Sequence, residues 1–228
     1  MGNIAIKQFI KNLLHILFPV SCPICGKLGE TVCRECLDSL CFNRELKCFE
    51  CGLNYPCVVH KGNAWIYYYA RHYGHARELL LSLKYTNQEA IGRAMGECIG
   101  EALLRDHEKL ISSYDKRNVI LVPIPLHRDS ERRFNQSSAI AKGISRVLDF
   151  NVSESLHWSF DVKAQTMRSG KERLALAEDV FKADSKIADK KVVIIDDVLT
   201  TGTTLKRALS ACVKAGAKEL GAIVWTKS

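Results

Sequence analysis

No stretch of this chain is both long enough and apolar enough to cross a bilayer, and no tract is of low complexity. A spanning helix needs about 20 consecutive apolar residues, so a transmembrane span is not expected. No glycine-rich loop runs into Gly-Lys-Ser or Gly-Lys-Thr, which excludes a Walker-type nucleotide site. Acidic residues are in short supply, 25 against 33 lysines and arginines, for a formal charge of +8. Such an excess suits anionic partners such as nucleotides, nucleic acid or lipid headgroups. With 228 residues, 47% of them apolar, the chain can hold one full domain and a small module beside it.

Secretion signals are missing as well. Residues 1–20 carry Ile4, Ile6, Phe9, Ile10, Leu13, Leu14, Ile16 and Leu17, interrupted by Lys7, Lys11 and His15, and no small-residue cleavage site precedes the cysteines that follow. This pattern is expected to form an amphipathic helix rather than a signal peptide. Its apolar face is expected to pack on its own protein, with a membrane surface as the alternative. The expected compartment is a reducing cytoplasm, with peripheral attachment at the inner membrane kept open.

Against these absences stands a crowd of cysteines: eight of ten lie between Cys22 and Cys57. They fall into knuckles, Cys22-Pro-Ile-Cys25, Cys33-Arg-Glu-Cys36, Cys48-Phe-Glu-Cys51 and Cys57-Val-Val-His60. Two ligands separated by two residues grip one ion from a tight turn, and four such pairs make two tetrahedral sites. The simplest assignment is Cys22, Cys25, Cys33 and Cys36 for one Zn2+ and Cys48, Cys51, Cys57 and His60 for the other, while a crossed pairing of knuckles stays open. With every position filled by protein the zinc is expected to be structural. Seven thiolates and two dications would lower the formal charge to about +5. Cys41, Cys98 and Cys212 stand outside the knuckles and read as small buried residues. The module, residues 21–62, is too short to bury much core without metal.

The most informative run is Val192-Val193-Ile194-Ile195-Asp196-Asp197-Val198-Leu199-Thr200-Thr201-Gly202-Thr203-Thr204. Four β-branched residues without a polar break suit a strand covered on both faces, as in a parallel sheet. Ligands sit at the carboxyl ends of such strands. Thr200, Thr201, Gly202, Thr203 and Thr204 then offer hydroxyls and amides around a phosphate, immediately before a helix from Leu205 to Ala215. Carboxylates beside a phosphate would repel it unless they hold sugar hydroxyls or act through a divalent cation. A phosphorylated ribose, phosphoribosyl pyrophosphate (PRPP), meets that condition.

The run resembles the signature of the type I phosphoribosyltransferases. The resemblance implies that Asp196 and Asp197 hold the ribose hydroxyls as the catalytic acids, that the threonine loop holds the 5'-phosphate, and that Mg2+ accompanies PRPP. Elsewhere, Asn118 to Ile124 reads as a second buried strand, followed by His127 and Arg128 and then by Arg132 and Arg133 at the opening of a helix that runs to about Leu148. His127, Arg128 and Arg132 are candidates for the pyrophosphate. Arg77 to Tyr85 and Ile91 to Leu104 show helical spacing, and Lys84 ends the first where it can face a ligand, although lysines there are commonly just solvated. Val152 to Phe160 and Gly221 to Thr226 read as further strands. Ala64 to Tyr73, rich in tyrosine with Arg71, His72 and Arg77 nearby, reads as a core strand, with a stacking surface for single-stranded nucleic acid as the alternative.

The order of cysteine knuckles, Lys84-Tyr85, Val122-Pro123-Ile124-Pro125-Leu126-His127-Arg128, Phe134-Asn135-Gln136-Ser137 and the PRPP run is similar to the ComF family of bacterial competence-associated proteins. The resemblance spans nearly the whole chain and implies an α/β fold: a type I phosphoribosyltransferase-like, doubly wound, mainly parallel sheet over 63–228 with a small N-terminal zinc ribbon. It implies a part in natural transformation, handling incoming single-stranded DNA with the DNA-uptake or recombination machinery as partners. It also implies a flexible loop carrying Gln165 and Arg173. The family has Arg-Gly before Phe-Asn-Gln where this chain has Arg132-Arg133, and an arginine lacks glycine's backbone freedom. An active transferase on a nitrogenous acceptor, or a zinc-ribbon adaptor with a vestigial transferase domain, are the alternatives.

Overall fold

The computed structural model describes residues 20–40, 44–60, 64–127, 130–159 and 180–228. The expected helix over 1–20 lies, but for its last residue, outside the described residues, as do Cys41, Arg128, Gln165 and Arg173.

In chain order the elements are α1 (Arg34–Asp38), β1 (Glu45–Cys48), β2 (Trp65–Arg71), α2 (Gly74–Tyr85), α3 (Glu89–Asp106), α4 (Glu108–Ser112) and β3 (Val119–Pro123). They continue with α5 (Gln136–Leu148), β4 (Asn151–Val152), β5 (Leu156–Trp158), β6 (Phe181–Ala183), β7 (Lys191–Leu199), α6 (Thr203–Lys214) and β8 (Glu219–Lys227). The main sheet has the order β1-β2-β8-β7-β3-β4, parallel throughout except for β1, which runs antiparallel to β2 at the edge. β5 and β6 form a separate antiparallel ribbon.

The β-branched run of β7 shows why both faces need cover. Side chains alternate across a strand. Val193 and Ile195 enter a core with α2, α3 and α5 through Leu79, Leu83, Met95, Ile99, Ile140 and Ile144. Val192 and Ile194 enter a second core with α6 and the ribbon through Leu205, Ala208, Leu156 and Phe181. The expected doubly wound α/β architecture is what the chain adopts.

Two strands differ from expectation. β7 does not end at the acid pair, the expected end of the strand: β8 runs beside it to Lys227, so Asp196 pairs with Val224 and Leu199 with Lys227, and the ladder continues two residues past Asp197. The strand expected over Val152 to Phe160 is split. The chain leaves the sheet edge after Ser153, whose amide donates to the Leu121 carbonyl, and resumes as β5 against β6. The tyrosine-rich segment is core: Trp65, Tyr67, Tyr68 and Tyr69 of β2 are fully buried, Trp225 stacks on Tyr69 at 4.8 Å, and Trp65 Nε1 donates to the Tyr114 hydroxyl at 3.0 Å. The rings of β2 are thus core, as expected, while Tyr73, beyond the end of the strand, stays exposed.

The cysteine segment is fused to this frame. β1 extends the sheet by one strand, and Cys22, Cys33, Cys36, Leu37 and Leu46 share the core that holds α2 and α3. Arg34 and Arg44 reach Glu101 and Asp106 of α3, each at 2.8 Å.

Helices α3 and α5 touch backbone to backbone. A Cβ on Gly143 would fall on the Arg93 carbonyl oxygen, and one on Gly96 on the Ile140 carbonyl oxygen. Backbone cannot move aside as a flexible side chain can. The contact is flanked by Lys142–Glu89 at 3.1 Å and Arg146–Glu97 at 2.8 Å. Alanine at position 143 would gain about 1 kcal/mol of helix propensity, yet overpacking costs about 1–3 kcal/mol, and the upper end, about 3 kcal/mol, applies where a Cβ would meet a backbone carbonyl oxygen. Gly143→Ala is therefore expected to lower stability by about 2 kcal/mol in urea denaturation of the full chain; a variant at or above wild-type stability would show that the helices are not in contact there.

Candidate functional site

Asp196 and Asp197 stand at the carboxyl-terminal part of β7, where α2 and α5 converge on the strand. Alternation sends consecutive side chains to opposite faces, and the two carboxyls accordingly find different partners. Asp197 Oδ2 pairs with Lys84 Nζ at 2.9 Å, both side chains being largely buried at 15% and 19% exposure. Asp196 Oδ1 accepts from the Ser137 hydroxyl at 3.2 Å and from the Asp197 amide at 2.9 Å. Burial, and next the charge of Asp197, push the Asp196 carboxyl up to about 7, against the pull of those two donors and of Lys84.

The loop that follows is open. Gly202 adopts φ +75°, a left-handed conformation that few side chains tolerate, and turns the chain into α6. Thr200, Thr201, Thr203 and Thr204 are exposed, the Thr201 and Thr203 hydroxyls lie 2.9 Å apart, and no side chain of the Gly202 cap closes the helix. The Thr201 and Thr203 hydroxyls thus meet at the amino-terminal end of α6, with the Thr203 amide donating to Thr201 Oγ1 at 3.4 Å, a place suited to an anion.

On the other side of β7, the Phe134-Asn135-Gln136-Ser137 segment holds the loop after β3 together. Asn135 caps α5 by accepting from the Ser138 amide at 3.3 Å and donates to the Ile124 carbonyl at 2.8 Å. Gln136 is buried, its Oε1 accepting from Arg132 Nη1 at 3.1 Å and its Nε2 without a partner. Ser137 reaches Asp196. Three consecutive side chains therefore tie the loop, Arg132 and the acid pair to one helix end. His127 packs edge-on against Trp158 at 5.1 Å, and Trp158 Nε1 donates to the carbonyls of Pro125 and Leu126 at 3.2 and 3.0 Å.

Ser137, Gln136 and Trp158 were not among the expected site residues, and Lys84 was singled out only by its position. The signal for the first two was present in Phe-Asn-Gln-Ser. Nothing in the sequence pointed from Trp158 to the loop before it, some 30 residues away.

The cysteines sort into two groups. The ligand atoms of Cys22, Cys25, Cys33 and Cys36 lie within 4.8 Å of one another, as do those of Cys48, Cys51, Cys57 and His60. Knuckles pair in sequence order, which answers the crossed alternative. Thiolate-rich four-ligand sets of this kind are compatible with zinc. Their ionisation is divided. Burial opposes the Cys22 thiolate, but backbone amides at Cys33, Cys25 and Ile24 outweigh it and bring the thiol down to about 6; the His60 amide does the same for Cys57, also to about 6. Cys36 is pushed far up, by burial first and then by its neighbours. Four crowded thiols cannot all ionise together, and a dication removes that conflict. Cys98 and Cys212 lie apart from both groups, Cys212 fully buried and Cys98 in contact with the Tyr69 hydroxyl at 3.0 Å. Among the described residues no helix is long and apolar enough to cross a membrane.

A raised carboxyl weakens the fold as it ionises. Asp196 binds its proton more tightly folded than unfolded, so stability falls as pH rises from the unfolded value near 3.8 to about 7. Asp196→Asn keeps an acceptor for Ser137 and does not ionise. Its stability relative to wild type is expected to improve between pH 6 and pH 8.5 by about 1 kcal/mol, read as a widening gap in Tm of the ligand-free proteins. A gap that stays constant over that range would mean that Asp196 is already ionised at pH 6.

Comparison with known proteins agrees with this geometry. Residues 99–227 match the phosphoribosyl transferase domain. The chain is 23% identical to Competence protein F of Haemophilus influenzae over 217 residues, covering 82% of this chain and 93% of that protein. It is 22% identical to Competence protein ComFC of Streptococcus pneumoniae over 199 residues, covering 85% and 80%, and 26% identical to the DNA utilization protein YhgH of Escherichia coli O157:H7 over 140 residues, covering 61% of each. The chain belongs to the phosphoribosyl transferase domain family and, with these competence relatives, to the ComF proteins.

Proposed function

We propose that this protein binds Mg-PRPP at the end of β7 and serves a ComF-type role in competence, assisting the handling of incoming single-stranded DNA. The named competence relatives and the matched domain support the competence role. The observation that carries the ligand reading is the division of the site into an anion-seeking end and a hydroxyl-seeking end on one strand. The 5'-phosphate lies on the loop from Thr200 to Thr204, at the amino-terminal end of α6, where the Thr201 hydroxyl already meets the Thr203 amide and a phosphate would take its place. The ribose hydroxyls donate to Asp196 and Asp197. Ser137 and the Asp197 amide both donate to Asp196 Oδ1, which leaves Oδ2 without a donor among the described residues. Donors arriving from the ribose favour the carboxylate form and lower its pKa toward the ordinary range.

Arg132, held by Gln136, and His127, held by Trp158, serve the pyrophosphate end; Arg128, Gln165 and Arg173 join the proposal from the sequence alone. Mg2+, when bound with PRPP, screens the pyrophosphate charge. Asp197 begins ion-paired to Lys84, so Lys84 balances one charge of the acid pair before any ligand enters. Two Zn2+ in the two cysteine groups serve structure alone. A transfer to a nitrogenous acceptor is the second reading, since acids placed at the ribose also suit an oxocarbenium-like transition state.

Titration calorimetry of the full, zinc-loaded chain is expected to show Mg-dependent PRPP binding that falls at least tenfold in Asp196→Asn/Asp197→Asn. Absence of any PRPP binding by the wild type would sink the reading. Pyrophosphate release that depends on an added base, and is lost in the double variant, would establish the transferase. Metal analysis of the same preparation is expected to give two zinc ions per chain, with chelation exposing the knuckle thiols to a thiol reagent and shifting the melting transition down. Thiols that react fully before chelation would show that the groups hold no metal.

A further inference from the structure

The phosphate loop does not close on its outer side. It opens into a groove of about 630 Å³, between α6 and the second cysteine group, lined along one wall by Thr203, Lys206, Arg207 and Ser210 and along the other by Lys47, Phe49 and Gly52. Ile66 and Tyr68 form its floor, and Lys227 and the threonine loop stand at its upper end. Asp196 and Asp197 do not line it. The positions 203, 206, 207 and 210 recur at helical spacing, so one stripe of α6 runs from the phosphate loop along the whole groove.

Charge in the groove is uneven. Lys47 is taken by Glu45 at 2.9 Å and Asn54 at 2.8 Å, and Lys227 rests over the Tyr68 ring at 4.9 Å. Lys206 and Arg207 have no ion-pair or hydrogen-bond partner among the described residues, and Glu50 is the one acidic side chain in the lining. Phe49 is half-buried, its ring packed on the α6-side core, and so presents part of an aromatic surface to the groove. A volume of this size is within the range of about 300–1,000 Å³ that holds small organic ligands.

Direction identifies the occupant. A nucleotide with its phosphate on the threonine loop and its sugar toward the acids leaves one bonding position on the far side of that phosphate. In PRPP that position is a terminal oxygen and needs no room. In a nucleic-acid strand it carries the preceding nucleotide. A groove that starts at the loop, leads away from the acids and is lined by unpaired cations therefore fits a phosphodiester-linked neighbour. We propose that a single-stranded nucleic acid enters this groove, with a phosphate on the threonine loop, the adjoining backbone on Lys206 and Arg207, and a base against Phe49. The second cysteine group, which carries Phe49 between Cys48 and Cys51, then forms a wall of the binding site. This inference rests on the proposed phosphate role of the loop and adds that PRPP and the strand compete for it.

The test uses the full, zinc-loaded chain and a fluorescein-labelled twelve-residue oligothymidylate, read by anisotropy. Lys206→Ala/Arg207→Ala is expected to weaken binding at least tenfold and to flatten the log affinity against log salt slope by about 1.4, two contacts at about 0.7 each. Phe49→Leu, which keeps an apolar side chain in the core, is expected to weaken binding about fivefold with little change in salt slope. Saturating Mg-PRPP is expected to weaken the strand at least fivefold. Unchanged affinity in the double variant at unchanged Tm, no effect of PRPP, or thymidine monophosphate binding as tightly as the strand would each overturn the proposal. So would a chain that binds no oligonucleotide at low salt, the outcome expected if the groove receives a protein instead. If wild-type protein binds the strand through Lys206 and Arg207 but does not bind PRPP, the PRPP reading fails and the groove stands.

Discussion

Two carboxylates on consecutive residues, directly after the four buried residues of a strand, repel each other where charge is poorly screened. The structure around β7 is arranged against that repulsion. Lys84 comes from the last turn of α2 to pair with Asp197, and Ser137 comes from the first turn of α5 to donate to Asp196. The helix ends that deliver them are fixed by the rest of the fold: α2 by its packing under β8, where Trp225 donates to the Ala76 carbonyl, and α5 by its backbone contact with α3. Neutralisation is incomplete, because Asp196 is left with a carboxyl that favours its proton. A fold optimised for stability alone has no reason to keep such a pair. Its retention at the end of a strand where hydroxyl-bearing ligands are proposed to bind is the pattern expected where stability has been given up for a site.

The cysteine segment meets a different constraint with the same frame. Too short to bury a core of its own, it lends its inner cysteines and leucines to the core beneath α2 and α3 and adds β1 to the sheet edge. The thiols that are drawn toward ionisation and those that are driven from it sit within one group, so metal and fold support each other. Metal loss would be felt at the sheet edge and not only in the knuckles, since Cys48 is both the last residue of β1 and a member of the second group.

Much of this was legible in the sequence because periodicity and spacing report local geometry. The β-branched run of β7 announced a strand covered on both faces, and the knuckle spacing announced two four-ligand groups. What was not legible depended on partners distant in sequence. Whether β7 ends at the acid pair or at Leu199 is decided by the length of β8 beside it. Whether the tyrosines of β2 face solvent or core is decided by the burial of both faces of that strand, which a run of six apolar or aromatic residues cannot reveal. The pairing of Lys84 with Asp197 spans more than a hundred residues, and no local pattern distinguishes that lysine from a solvated one. Phe-Asn-Gln-Ser is the intermediate case: its place before a helix was visible, but the task of each side chain became clear only when Ile124, Arg132 and Asp196 were placed around it.

The same distinction applies to charge. An excess of eight positive charges over the whole chain says little, because many of the described lysines and arginines are spent on surface pairs such as Lys27 with Glu30, Lys218 with Asp189 and Lys186 with Asp184. Exposed pairs of that kind contribute little to stability and cancel at a distance. What remains is local: Lys206 and Arg207 on one stripe of α6, without partners among the described residues, next to the threonine loop, and two carboxylates a few residues upstream that do not line the groove. A ligand carrying phosphate at one end and hydroxyls a sugar's length away satisfies both at once, whereas a simple polyanion would be drawn to the groove and repelled by the acids. If the proposed ligand binds there, discrimination between a bare phosphate chain and a sugar phosphate would follow from the order of residues along β7 and α6, not from the net charge.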